Sequence, residues 1–203
     1  MPTDPMTDDK PGQTQPGDKI RIGISSCLLG QEVRFDGGHK HDSYINGTLS
    51  QYFDFVPVCP ELAVGLGVPR EPIRLVTTAT GTRVIGTRHP ELDVTEALRE
   101  YGERKGCEMH NIAGYILKRG SPSCGMERVK VYTPAGMPNK SEPGMYARAF
   151  MEVQPLLPME EEGRLGDPVL RENFIGRVFV YHRWQTLLRD GLTPAKLVDF
   201  HTR

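Results

Sequence analysis

No run of about 18 apolar residues occurs in the 203-residue sequence, so nothing in it reads as a membrane-spanning helix. Residues 1–18, rich in Pro, Asp, Thr and Gln, lack the basic-then-apolar order of a signal peptide, and the cytosol is the expected location. Charge of either sign is scarce in net terms: a formal −1 excludes a globally basic nucleic-acid binder while leaving a local basic face open. Cysteine is scarce too, with four residues, and a reducing compartment argues against a disulfide framework. No C-x-x-C pair and no solenoid-length repeat is present, which removes zinc ribbons, thioredoxin-like motifs and repeat folds. The composition that remains, 37% hydrophobic and 25% charged, predicts a soluble chain with one α/β domain and at most a small appendage.

Residues 1 to about 17 hold no periodic apolar pattern and are expected to form a mobile tail. Ile20, Ile22 and Ile24 then alternate into Ser25-Ser26-Cys27, which predicts a strand ending in a loop. A second apolar run, Phe53 to Val58, stops at Cys59-Pro60, and a third, Ile112 to Leu117, ends at the turn-forming KRGSPSCG. Between them, Asp93 is a candidate helix N-cap with Glu96 at capping-box spacing. Val94, Ala97, Leu98 and Tyr101 would form one apolar face, and Gly106 would stop the helix. Arg74 to Gly86, centred on Gly81, predicts a β-hairpin, Val129 with Val131 a short strand, and Gly144 to Gln154 a helix. Asp167, Pro168 and the spacing of Leu170, Phe174, Val178, Tyr181 and Leu188 predict a long helix, followed by another from Thr193. Strand, helix and strand in succession give the expected class: α/β, a partly parallel sheet with flanking helices, plus a C-terminal helical extension.

Three of the cysteines share an address. Cys27, Cys59 and Cys124 each follow a strand candidate, whereas Cys107 follows the end of a helix. In an open α/β sheet the carboxyl ends of strands form the rim where ligands bind, so these thiols are expected to converge although 32 and 65 residues separate them. Free cysteines are also common as plain core residues. Three thiolates suit zinc with a water, or a [4Fe–4S] cluster with one open iron able to take a soft sulfur ligand.

SSCLLG (Ser25 to Gly30), VRFDGGHK (Val33 to Lys40), VCPE (Val58 to Glu61), PRE (Pro69 to Glu71), SPSCG (Ser121 to Gly125) and the closing PLLPMEEEGRL together resemble the motifs of the thiouracil desulfidase (TudS-type) family. The resemblance spans roughly Lys19 to Leu165. It implies an α/β domain over 18–166, a [4Fe–4S] cluster with one open iron held by Cys27, Cys59 and Cys124 at the strand carboxyl ends, and removal of sulfur from thiolated uracil. It assigns Cys107 no role, leaving it a structural thiol. Residues 167–203 resemble the truncated start of a second, helical domain, fused to the desulfidase in longer members and associated with thiouridine in RNA. The implied partners are a thiolated uracil base or nucleotide and 4-thiouridine in tRNA, with no membrane.

Replacing sulfur by oxygen needs no net electron transfer, only an activated water and a stabilised leaving sulfur. Glu61, two residues after Cys59, is the candidate general base, with a helix-capping role as the plainer reading. Ser121 and Ser123 are candidates for hydrogen-bonding it or moving a proton, and the resemblance favours Ser121 as the catalytic serine. Ser26, Arg34, Asp36 and Ser123 are candidate substrate contacts, with the Gly37-Gly38 pair allowing VRFDGGHK to act as a lid or phosphate contact. His39 and His41 are poor ligands for cluster iron, which prefers thiolate. Charge is lopsided: Arg70 to Lys140 carries 12 Lys or Arg against 8 Asp or Glu, while Met151 to Leu170 has one Arg against five acids. RNA affinity from such a face would be modest and salt-sensitive. The competing reading is a non-catalytic zinc- or cluster-binding sensor or interaction protein.

Overall fold

A computed structural model describes residues 19–202; the expected tail over 1–17 lies outside them. Strands β1 (Ile20–Ser25), β2 (Phe53–Val58), β5 (Tyr115–Leu117) and β8 (Met159–Glu161) form one sheet in the order β2-β1-β5-β8, with every pairing parallel. Parallel sheets are covered on both faces, and β1 shows it. Ile22 and Ile24 are fully buried in one core cluster, while Gly23, on the alternate face, lies so close to Tyr115 that an added Cβ would sit 3.0 Å from its ring.

The hairpin is observed as β3 (Ile73–Thr78) and β4 (Gly81–Gly86), with Gly81 at φ +120° where β4 leaves the two-residue turn. It belongs to a second sheet that the sequence reading did not contain. That sheet has the order β4-β3-β6-β7, where β6 (Val129–Tyr132) runs parallel to β3 and β7 (Pro138–Glu142) antiparallel to β6. The polar, exposed residues of β7 give no strand periodicity, and backbone pairing alone defines it.

Six α-helices lie among the described residues: α1 (Ser43–Gly47), α2 (Pro60–Ala63), α3 (Thr95–Glu108), α4 (Met145–Val153), α5 (Pro168–Arg189) and α6 (Pro194–Thr202). Leu98 of α3 and Tyr146 and Phe150 of α4 share a core with Leu75 and Val131 of the second sheet and Tyr115 of the first. The other face of the parallel sheet is covered by Ile45 of α1 and by Phe174 and Val178 of α5. Helix α5 begins as its cap residues predict, with the Asp167 side chain accepting N–H groups from Val169 and Leu170.

Helix α3 departs from its sequence reading. Gly106 does not stop it; the helix continues to Glu108 because the glycines are the contact with α4. A Cβ on Gly102 would lie 2.6 Å from the Tyr146 carbonyl oxygen, and one on Gly106 2.7 Å from the Val153 Cβ. Close packing of two helices, not termination, accounts for both residues. Asp93 precedes the cap position, its carboxylate accepting the Thr95 N–H at 2.9 Å, and Glu96 pairs with Arg99 instead of reaching back. Ala97 is exposed instead of lying on the apolar face. No helix among the described residues is long and apolar enough to cross a membrane.

Candidate active site

The carboxyl ends of β1, β2 and β5 point the same way, and the loops leaving them carry the three cysteines. Cys27 sits in a short 3-10 turn (Ser26–Leu29) closed by Gly30 at φ +89°. Cys59 is the residue before α2, where Pro60 fills the first helical position that needs no N–H donor. Cys124 lies in the turn after β5, shaped by the Ser121 hydroxyl, which accepts N–H groups from Ser123 at 3.2 Å and Cys124 at 3.1 Å. All three thiols line one cavity of about 290 Å³. Cys107, exposed on α3, is outside it.

None of the three is in a disulfide, and burial pushes each thiol up: Cys27 from an ordinary 9.0 to about 11, Cys59 upward, Cys124 well above the usual range. Lys118 and Arg34 pull Cys27 back down in part, while Cys59 pushes it up. Each thiol thus feels its neighbours through a poorly solvated space, and a bound cation is what would hold all three as thiolates. Among the described residues no group of three or more His, Cys, Asp or Glu side chains is arranged for a single metal ion. The three cysteines come from three separate loops around one cavity, a donor set that a cubane cluster, which spreads its cysteines over separate irons, could use.

Glu61 is the acid of the cavity. Its Oε2 accepts both Nε and Nη2 of Arg70, at 3.0 and 2.7 Å, and its Oε1 accepts the hydroxyls of Ser123 at 3.0 Å and Ser121 at 3.5 Å. Both N–H groups converge on one carboxylate oxygen as charge-assisted hydrogen bonds, which leaves Oε1 to the serines. The Arg70 side chain is only 5% exposed and also donates to the carbonyls of Val33 at 2.9 Å and Gly67 at 2.7 Å. One guanidinium thereby ties Glu61 to the loop of Val33.

That loop places Val33, Arg34, Phe35 and Lys40 on the cavity wall, with the Lys40 N–H donating to the Cys27 carbonyl at 2.8 Å. Ser26, Arg34 and Ser121 line the cavity. Asp36 and Ser123 do not. Asp36 closes its own turn by accepting the Gly38 N–H at 3.1 Å and pairs with Arg34 at 3.4 Å. Ser123 is fully buried behind the wall, where it reaches Glu61 and not a ligand. His39 and His41 contact one another outside the cavity.

Arg70 and Lys118 are cavity residues that the sequence reading passed over. Lys118 pairs with Glu162, which also accepts the Arg119 N–H at 2.7 Å, so the acidic run ending β8 holds the loop that carries Cys124. Glu161 adds to this by accepting the Met126 N–H at 2.9 Å. The signals were present, as the arginine of PRE and the acids of PMEEEG, but neither shows its partner in one dimension.

Residues 22–162 match the family model described as 2-thiouracil desulfurase. The chain is 38% identical over 112 residues to the uncharacterized protein YbbK of Bacillus subtilis (strain 168), covering 51% of this chain and 72% of that one. Its fold matches the solved structure of a [4Fe-4S]-dependent thiouracil desulfidase, TudS, with a TM-score of 0.55 and 28% identity, over 76% of this chain and 99% of that one.

Proposed function

Since the chain belongs to the 2-thiouracil desulfurase family, we propose that it replaces sulfur by oxygen in thiolated uracil, as the free base, a nucleotide or 4-thiouridine within tRNA. The observation that carries this is the meeting of Cys27, Cys59 and Cys124 with Glu61 in one cavity at the ends of parallel strands. Cys27, Cys59 and Cys124 would hold a [4Fe–4S] cluster, and the chemistry such a cluster supplies with three protein ligands is an open, thiophilic Lewis-acidic iron.

The exchange consumes one water and releases one hydrogen sulfide. Glu61 is placed to take the proton from that water, its Oε2 immobilised by Arg70 so that Oε1 is the reactive oxygen. Ser121, which both lines the cavity and touches Oε1, is placed to carry that proton on toward the leaving sulfur. Ser123 holds Oε1 from behind. Val33, Arg34 and Phe35 line the same cavity and would lie against a bound base.

The test is to load the cluster anaerobically and follow loss of the thiocarbonyl absorbance with free thiouracil, 4-thiouridine and thiolated tRNA. Absence of turnover on all three, with the cluster intact, refutes the proposal. Glu61→Ala is expected to abolish turnover while iron content stays at the wild-type level.

A further inference from the structure

The second sheet carries a trough that the cavity chemistry leaves unused. Leu75 pairs with Val131 and Val76 with Tyr132, and Leu75 and Val131 point into the core. Strand alternation therefore places Arg74, Lys130 and Tyr132 together on the opposite face. The Arg74 guanidinium lies over the Tyr132 ring, 5.7 Å from its centroid, and its Nε is buried with no hydrogen-bond partner. With Arg128, whose side chain is 80% exposed, these residues line a groove of about 490 Å³ that contains no acidic side chain. The nearest acid to Arg128, Glu127 at 3.6 Å, is itself bound to Arg164 at 3.0 Å. Ile73, Gly120 and Pro122 line both this groove and the thiol cavity, so the two adjoin.

A cationic groove with an aromatic platform fits a ribose-phosphate chain, with the ring stacking a base and the cations meeting phosphates. A second platform next to the cavity has a use if the base that enters the cavity has neighbours on a chain. Uracil is the base of RNA, which sets the polymer. We propose that the Arg74–Arg128–Lys130–Tyr132 trough binds the RNA chain flanking a thiolated uridine, so that the base entering the cavity belongs to a polynucleotide. The inference rests on the desulfidase reading for its choice of base, though not for the binding itself.

Binding is measured by fluorescence anisotropy on the full chain, using an unthiolated, uridine-containing single-stranded RNA of about ten nucleotides. Arg128→Gln with Lys130→Gln is expected to lower the slope of log affinity against log salt by about 1.4, which is two phosphate contacts at about 0.7 each. Arg128→Glu with Lys130→Glu is expected to weaken binding at least tenfold while turnover of free thiouracil is unchanged and kcat/KM on thiolated RNA falls. Circular dichroism confirms folding, and both residues are exposed. RNA affinity and salt slope equal in wild type and variants overturn the assignment, as does equal or tighter binding of a polyglutamate peptide. RNA binding that depends on these cations, in a cluster-loaded protein that turns over neither substrate, upholds the trough and overturns the desulfidase reading.

Discussion

Ser123 donates its hydroxyl to Glu61 Oε1 at 3.0 Å across 62 positions of sequence, joining the loop of Cys59 to the loop of Cys124. The contact is part-buried, with its Ser123 end fully buried, so water does not readily replace the serine hydroxyl there. Ser123→Ala is expected to lower turnover of free thiouracil about tenfold at unchanged iron content, the scale of one such bond. Ser121→Ala is expected to cost more, since it also removes the cavity hydroxyl and two backbone contacts. Steady-state kinetics with iron analysis checks the pair, and equal effects would remove the distinction drawn between them.

Arg70→Lys keeps the positive charge and loses the fork on Glu61. Misplacement of a catalytic group by an ångström typically costs about a hundredfold, and that is the expected loss in kcat. KM should change far less, because the hydrogen bonds of Arg70 go to Glu61, Val33 and Gly67. A variant as active as wild type would show that orientation of Glu61 is unimportant.

Cys27→Ser, Cys59→Ser and Cys124→Ser are each expected to lose iron and the charge-transfer absorbance of the cluster after reconstitution, whereas Cys107→Ser keeps both. Iron and sulfide analysis decides it. Retention of a full cluster in any one of the first three would remove that residue from the ligand set.

Glu71 makes a separate, pH-dependent contribution. Burial pushes its carboxyl up, but hydrogen bonds from the Arg88 and His89 N–H groups and the His89 ring outweigh this and lower it from an ordinary 4.5 to about 2. His89 is raised by the same hydrogen bond and charge. A lowered carboxyl stabilises the fold above its unfolded value, and the gain is lost as pH falls from about 4.5 toward about 2. A raised imidazole stabilises below its ordinary 6.5, and the gain is lost as pH rises through the folded value. The Glu71–His89 pair is therefore expected to be most stabilising between about pH 4.5 and 6.5. Thermal melts of wild type and Glu71→Gln across pH should differ most in that window. A constant difference from pH 2 to pH 8 would refute it.

Elements with a strong local period were legible in one dimension. The alternation of Ile20, Ile22 and Ile24 marks β1, and the Asp167-Pro168 start marks α5, because both patterns encode which face meets the core. Gly106 was misread since a glycine at a helix end and a glycine under a crossing helix look alike until the second helix is in place. Strands β7 and β8 escaped because short polar or acidic segments become strands only through the partners they pair with.

The sequence by itself determined which atoms are available: three thiols and a carboxylate, each next to the end of an apolar run and each embedded in a recognisable motif. It could do so because strand formation and motif composition are local. Only the tertiary structure decided that Arg70, and not a serine, takes Oε2 of Glu61, that Ser123 stands behind the wall while Ser121 faces the cavity, and that the cations of β3 and β6 share a groove beside it. Hydrogen bonds and desolvation act over a few ångströms in space, and the sheet order that brings residues 33, 61, 70 and 123 within that reach is not a property of any short stretch of the chain.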